Sequence, residues 1–385
     1  MNHKHLLAGV AAAAIMASGN AFAAAHASVE DAVKANAAAI DALSKEVEAL
    51  QAGSDGIQKG VKGVNLKLSG HVNRAVMFAS DANDVSFFQF VDNDASSTRI
   101  TFDADTKASS GMTVGARIEL QIESNSNIAT ANPNSITADG DAENLRHAYV
   151  FVQGGFGTLT TGQQGEATEG ILHNSFNFAS LADINPEHTN GAAIAGGGFL
   201  AFGDGGRQDS IRYDTPNFGG MKASISARDN GDVTAALRYR GKIGGIGLLA
   251  GVGYEGNGGN DNIAGSMGLN FGVIALNGAI AVELADGAAE NDAMYYVGLA
   301  HKGNYSSLGA TSIGVDYLNV VRDDITGANG VVLTAAGALN NNSIGLGLVQ
   351  GLAPGADAYA SVRHFFGSEA IDSAQAAMVG MRVKF

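Results

Sequence analysis

From residue 64 to residue 385, apolar and polar side chains alternate in short segments. One clear case has Val114, Ala116, Ile118, Leu120 and Ile122 on one side and Arg117, Glu119 and Gln121 on the other. A repeat of two residues is typical of a β-strand, whose successive side chains point to opposite faces. The pattern predicts sixteen strands, near residues 64–79, 96–106, 111–123, 144–153, 156–163, 208–215, 219–229, 231–242, 245–256, 262–271, 274–284, 292–303, 308–322, 343–351, 355–366 and 376–385.

The last of these segments indicates how the strands are arranged. Its apolar residues fall at positions 377, 379, 381, 383 and 385, and the chain ends there on an aromatic residue. An unpaired strand of this kind invites pairing with other chains, so we expect it to close against an early strand of its own chain. Lipid can then cover the apolar faces. The predicted fold class is all-β, a transmembrane antiparallel β-barrel of about sixteen strands over residues 64–385. The alternative is an ordinary terminal strand of a sandwich.

Arg74 interrupts the apolar face of the first predicted strand. An arginine that faces lipid at mid-membrane costs about 2–4 kcal/mol. We therefore expect either a β-bulge at this position or a contact between subunits.

The start of the chain has a different pattern. Residues 1–23 resemble a secretory signal peptide, with Lys4 before an apolar run and a small-x-small cleavage site at Ala21-Phe22-Ala23. Residues 28–52 show a heptad repeat, which predicts a short trimeric coiled-coil helix in the periplasm. The alternative is an amphipathic helix that lies on the barrel or is frayed in solution. Residues 53–63 read as a flexible linker. The predicted coiled-coil seam comprises Val29, Val33, Asn36, Ile40, Leu43, Val47 and Leu50.

Composition excludes several classes of function. The chain has no cysteine, which removes disulfides and thiolate metal sites, and its net charge of −15 argues against nucleic acid as a partner. Its 53 glycines and 4 prolines suit many strands joined by tight turns. The nine histidines form no metal-binding motif and no local motif marks a nucleophile. We expect no enzyme activity, no metal and no cofactor.

Five segments carry distinctive motifs: Thr98-Arg99-Ile100-Thr101-Phe102, Gly111-Met112-Thr113-Val114-Gly115-Ala116, Arg146-His147-Ala148-Tyr149-Val150, Phe156-Gly157-Thr158-Leu159-Thr160-Thr161-Gly162 and Ser210-Ile211-Arg212-Tyr213-Asp214-Thr215-Pro216. In order and spacing, these motifs resemble those of the Gram-negative general porins. The resemblance implies a sixteen-stranded trimeric barrel in the outer membrane, whose third long loop folds inward and narrows the pore. The terminal Phe385, with Val383, resembles the signal that outer-membrane barrels present to their insertion machinery.

Residues 164–207 form the longest stretch between predicted strands, and a loop of this length in a compact domain is usually functional. We expect it to fold into the lumen as a constriction, with its acids facing basic residues of the barrel wall across a narrow aqueous gap. The alternative is that these charges are the solvated inner face that every wide barrel needs. The predicted wall residues are Arg99, Arg117, Arg146 and Arg212, and the predicted loop acids are Glu166, Glu169, Asp183 and Glu187.

The sequence therefore predicts a passive diffusion channel for small hydrophilic solutes and ions. The excess of 38 acids over 23 bases favours mild cation selectivity. The expected partners are outer-membrane lipid, two further copies of the chain in a homotrimer, the barrel-insertion machinery and, through the N-terminal helix, peptidoglycan. Three alternatives stay open: a tether to the cell wall whose barrel is mainly an anchor, a substrate-specific porin, and a trimeric adhesin, although an adhesin contributes only a few strands per chain.

Overall fold

The computed structural model describes residues 63–80, 86–123, 125–127, 143–186, 203–256, 260–285, 292–326, 332–367 and 373–385. The predicted signal peptide, the coiled-coil helix at 28–52 and nearly all of the linker lie outside the described residues, and so does Glu187. The peptidoglycan contact proposed for the helix therefore stays a prediction. No helix within the described ranges is long and apolar enough to cross a membrane.

The described chain consists of β-strands joined by turns, loops and short 3-10 turns. The strands are β1 (Asn65–Ser80), β2 (Ser86–Asp92), β3 (Arg99–Lys107), β4 (Thr113–Ile122), β5 (Glu143–Gly154), β6 (Gly157–Gly165), β7 (Arg207–Asp214), β8 (Met221–Arg228), β9 (Val233–Ile243), β10 (Ile246–Glu255), β11 (Asn260–Asn270), β12 (Ile274–Ala285), β13 (Ala293–Ser306), β14 (Gly309–Thr326), β15 (Val332–Ala353), β16 (Ala356–Gly367) and β17 (Ala374–Lys384).

These strands form a closed antiparallel barrel with sixteen positions, which confirms the predicted fold class. From β3 to β17 each strand pairs with the next. On one side of β1 lies β17, and on its other side the first half of β1 pairs with β3 and the second half with β2. Strands β2 and β3 therefore share one position, separated by a 3-10 turn at Asp94–Ser96. The prediction missed β2.

The closure between the two ends of the barrel involves the last residue. Val383 pairs with Val72, and the backbone of Phe385 exchanges two hydrogen bonds of 3.0 Å with Gly70. The ring of Phe385 covers the site where Gly70 would carry a Cβ. Closure pairs residues 71–80 of β1 with residues 375–384 of β17, so the backbone groups along these facing edges are not exposed to lipid. Whether the terminal residues also act as an insertion signal stays a prediction.

The outer face of the barrel is apolar, as the alternating pattern predicts. Large apolar side chains are exposed along every part of it, including Leu237, Val252 and Leu346. Arg74 lies on this outer phase and its Nη1 is 3.6 Å from Asp92 Oδ2. The register of β1 with β2 and β17 continues without a shift, so the predicted bulge at Arg74 is wrong. The side chain of Arg74 can point outward because Asp92, the last residue of β2, places a carboxylate beside it.

The two ends of the barrel differ. At one end, the short-turn end, connections of two to six residues join β3 to β4, β5 to β6 and so on to β15 and β16. The first residue of β1 and the last of β17 lie at this end. The two longest connections, residues 123–142 and 166–206, lie at the opposite end, the loop end.

Small residues on the inner wall make room for part of this longest loop. Ile171 and Leu172 are buried against a cluster on β9 and β11–β14 that includes Ala236, Ala264 and Ala281. A Cβ added to Gly347 would lie 2.6 Å from the side chain of Ile184. A water-filled barrel wall would tolerate larger polar side chains at these positions, so their small size is explained by the chain packed against them.

Candidate functional site

Residues 166–186, here called the inner loop, run along the inner wall of the barrel instead of projecting from its end. The loop is bound at successive strands, starting on β8 and β9 and ending at the turn after β2. The hydrogen bonds are from Ala167 N to Ser226 Oγ (2.9 Å) and Thr234 Oγ1 (3.0 Å), from Asn174 N to Ser266 Oγ (3.1 Å), from Phe176 N to Asn277 Oδ1 (2.8 Å), and from Asn93 Nδ2 to Leu181 O (2.8 Å).

Glu166 fixes the start of the inner loop. Its side chain is 0% exposed and both carboxylate oxygens accept hydrogen bonds from the guanidinium of Arg228. Arg228 also contacts Glu255 at 2.9 Å and Asp232 at 3.1 Å. A charge-assisted bidentate pair of this kind holds both partners in one geometry.

Asp183 fixes the far end of the inner loop in a similar way. Its Oδ2 lies 3.2 Å from Nε of Arg363, and both side chains are 1% exposed. Arg363 also donates to Asp316 Oδ2 at 3.0 Å, to Ser343 Oγ at 3.0 Å and to the carbonyl oxygen of Asp183 at 2.6 Å. One guanidinium on β16 thus joins the inner loop to β14 and β15.

These contacts differ from the predicted arrangement of loop acids. Glu166 and Asp183 do not face the lumen opposite the predicted wall arginines, because each is buried in an ion pair with a residue of the wall behind the loop. Of the described loop acids, Glu169 is the partly exposed one, and it pairs with Arg207. The two carboxylates therefore hold the loop in place.

Two further arginines bind the backbone of the inner loop and its start. Arg238 donates to the carbonyl oxygens of Ala167 (2.8 Å) and Glu169 (2.7 Å). Arg212, a predicted wall residue, donates to the carbonyl oxygens of Gly165 and Glu166, both at 2.9 Å, and pairs with Asp214.

Three arginines cluster on the wall near the loop. Arg99 and Arg146 share Glu119, with Nη1 of Arg99 at 3.4 Å and Nε of Arg146 at 2.9 Å from its Oε1. Arg207 lies close enough to both arginines to repel them electrostatically. Among the described residues, the three guanidiniums form ion pairs with two carboxylates, Glu119 and Glu169, so this group of five side chains carries net positive charge.

Arg146 reaches this cluster because of an irregularity in β5. His147 pairs with Glu119 and Leu145 with Leu120, which leaves Arg146 as an extra residue between them. Such a bulge changes the face of the sheet to which a side chain points. Without the bulge, the side chain of Arg146 would point out of the barrel, like that of Val150. The fourth predicted wall residue, Arg117, makes a bidentate pair with Asp103 at 2.6 and 3.1 Å.

Glu123 follows the end of β4 at the loop end. Burial raises its pKa to about 8, and a hydrogen bond with Asp94 and the negative charge of Asp94 add to the rise. The carboxyl group is therefore mostly protonated at pH 7 and contributes little negative charge to this part of the lumen.

The sequence did not single out Arg207, Arg228, Arg238 or Arg363 as site residues. Arg238 lies between Leu237 and Tyr239 on β9, and this alternation predicts that its side chain points into the barrel. Its role depends on the path of the inner loop, which the pattern does not give. Within the ranges that the structure describes, no group of three or more acidic or histidine residues could hold a metal ion.

Comparisons with known proteins agree with the barrel geometry. The family model described as Gram-negative porin matches residues 9–370. No curated protein matches the chain in sequence. Among solved structures, the chain is similar to the anion-selective porin from Comamonas acidovorans, with 20% identity and a TM-score of 0.61, covering 84% of this chain and 100% of that one.

Two more distant neighbours have the same fold. OprB of Pseudomonas putida has 11% identity and a TM-score of 0.57, with 84% and 94% of the two chains covered. OmpT of Vibrio cholerae, in its trimer form, has 11% identity and a TM-score of 0.55, with 84% and 100% covered. With its closed barrel and the family match over most of its length, the chain belongs to the Gram-negative porin family and is a channel of the outer membrane, not an enzyme.

Proposed function

We propose that this porin is a passive diffusion channel for small hydrophilic solutes, narrowed by the inner loop and selective for anions. The observation that carries the selectivity is the way charges are paired around the loop. Glu166 and Asp183 are buried in ion pairs, whereas the cluster of Arg99, Arg146 and Arg207 has more positive than negative groups.

Other charged residues near the inner loop also favour a net positive charge in the passage. Arg238 donates to two carbonyl oxygens, and among the described residues it forms no ion pair within 4.0 Å. Arg212 and Lys222 share Asp214. Fixed positive charge in a narrow aqueous passage attracts anions and repels cations. The predicted cation selectivity is not supported, because total charge counts acids that do not face the pore. A solved neighbour described as anion-selective is consistent with this proposal.

The reversal potential of the purified channel in a planar bilayer tests the proposal. With KCl at different concentrations on the two sides, we expect the reversal potential to lie between zero and the equilibrium potential of chloride. We also expect the selectivity to weaken as salt rises, because the Debye length falls from about 10 Å at 0.1 M to about 3 Å at 1 M. A potential on the potassium side, or the absence of conductance, would contradict the proposed function.

We also propose that the channel is a homotrimer, with the outer face around Arg74 at the subunit contact. Arg74 is 41% exposed on a face that otherwise meets lipid, and a protein neighbour would remove the cost of that position. One structural neighbour is described as a trimer. Unheated protein should migrate as a trimer on a denaturing gel and as a monomer after heating. Monomeric migration of the unheated protein, supported by its mass in detergent, would refute the assignment.

A further inference from the structure

Two recesses on the inner wall lie between the inner loop and the short-turn end. The first has a volume of about 430 Å³ and is lined by Phe176, Arg240, Lys242 and Asn270, with glycine backbone forming much of the remainder. This volume falls within the range of about 300–1,000 Å³ that is typical of small-molecule sites. The recess combines an aromatic ring with two cations.

The second recess repeats this combination at Phe178, two residues farther along the inner loop. It has a volume of about 240 Å³ and includes Phe178, Lys302 and Lys384. Arg382 and Asp357 also line it and pair with each other at 2.8 Å. The Nζ atom of Lys302 lies 5.9 Å from the centroid of the Phe178 ring, within range of a cation–π interaction.

Phe176 is held in place by the wall, and neither phenylalanine is buried. The backbone N–H of Phe176 donates to Asn277 Oδ1 at 2.8 Å, and its ring lies 3.1 Å from the position of a Cβ on Gly247. Both rings are of intermediate exposure. One part of each ring therefore contacts the wall or a cation, and the rest is accessible from the recess.

The cations of the two recesses are available to a ligand. Arg240, Lys242, Lys302 and Lys384 are all exposed. In the described part of the chain, none of them has a carboxylate within 4.0 Å. By contrast, the arginines that bind the inner loop are occupied by loop groups.

Lysines are concentrated at this end of the barrel. Six lysines lie between residues 64 and 385, and each is within four residues of the short-turn end of its strand. Positive charge at a mouth raises the local concentration of anions and their rate of entry. The charge thus selects anions, and the two phenylalanine rings select among them.

We propose that the two recesses bind anions with a flat apolar ring, of the class of aromatic monocarboxylates such as benzoate. The ring of the ligand packs on Phe176 or Phe178, and its carboxylate binds the neighbouring cations. A small aliphatic acid such as acetate uses the cations but leaves the rings without a partner. The proposal rests on the proposed anion-selective channel and defines a substrate class for it.

Single-channel recording tests this assignment with benzoate and acetate as probes at equal concentration on both sides of the bilayer. Benzoate should cause concentration-dependent interruptions or excess noise in the current, and acetate should not. Removing the ring with Phe176→Leu, which keeps an apolar contact on Gly247, should shorten the benzoate dwell time about two- to tenfold, the range expected for loss of one aromatic pair. Lys242→Gln should also shorten it.

Lys67→Gln is the matched control, because Lys67 lies at the same end of the barrel but borders neither recess. Loss of a charge outside a site changes association more than dissociation, so the benzoate dwell time should not change. Equal responses to benzoate and acetate, or equal shortening by Lys67→Gln and Lys242→Gln, would overturn the assignment. The potential in KCl alone, measured on the same channels, shows separately whether the proposed selectivity holds.

Discussion

Replacing Arg363 by methionine is expected to destabilise the barrel by about 3–5 kcal/mol. The substitution removes the cation between Asp183 and Asp316, whose carboxylates are almost completely buried. Each would lose its ion pair with Arg363 in a site closed to water, where removing one partner of a buried ion pair is costly. The measurement is the temperature at which the purified channel loses its folded migration on a denaturing gel.

The same variant should increase single-channel conductance. Arg363 binds both the carboxylate and the carbonyl oxygen of Asp183, so its removal frees the far end of the inner loop from the wall. Asn93 retains its hydrogen bond to Leu181, which limits how far the loop can move. A conductance that is larger and more variable between channels is the expected result.

Two further variants separate this anchor from a general effect of lost charge. The triple variant R363M/D183N/D316N removes all three charges and should recover much of the stability, because replacing a whole buried ionic group is often nearly neutral. Arg382→Met removes a more exposed pair with Asp357, for which about 0–1 kcal/mol is expected. Equal losses of stability in R363M and R382M would contradict the role assigned to Arg363.

Much of the fold could be predicted because the outer face of the barrel contacts lipid and the inner face contacts water. Residues such as Leu237 and Val252 face lipid while their neighbours in sequence face water. The alternation of apolar and polar residues within each strand therefore identifies its two faces. The segment Ser86–Asp92 was missed although Phe88 and Phe90 alternate, because it forms half of a strand position that the 3-10 turn interrupts. Local periodicity does not show that two short segments share one place in the sheet.

The candidate site was less predictable for a different reason. Alternation identifies inward-facing side chains, but the partner of each one depends on the path of the inner loop. Glu166 pairs with Arg228, and Asp183 with Arg363, across 62 and 180 residues of sequence. The bulge at Arg146 also changes the phase of a strand in a way that residue type does not reveal. Ion pairing, not the number of acids, decides which charges the lumen presents.

Arg146→Gln and Glu119→Gln are expected to change ion selectivity in opposite directions. Arg146 Nε and Glu119 Oε1 are 2.9 Å apart, so the two substitutions remove opposite charges from nearly the same place. A unit charge about 4 Å from an ion in water contributes about 1 kcal/mol. That energy corresponds to a factor of about five in local ion concentration. Reversal potentials in a KCl gradient should move toward potassium for R146Q and toward chloride for E119Q.

The double variant R146Q/E119Q is the internal control, because it removes both charges and should return the potential close to that of the unmodified channel. The differences among the three variants should shrink at 1 M salt, where the Debye length is about 3 Å. Each single variant leaves a partner with other contacts, since Glu119 also binds Arg99 and Thr101, and Arg146 also binds Gln121. Folded migration on gels should therefore persist in all three. If R146Q and E119Q shift the potential in the same direction, the cluster does not set selectivity through its charge, and the anion preference must originate elsewhere in the lumen.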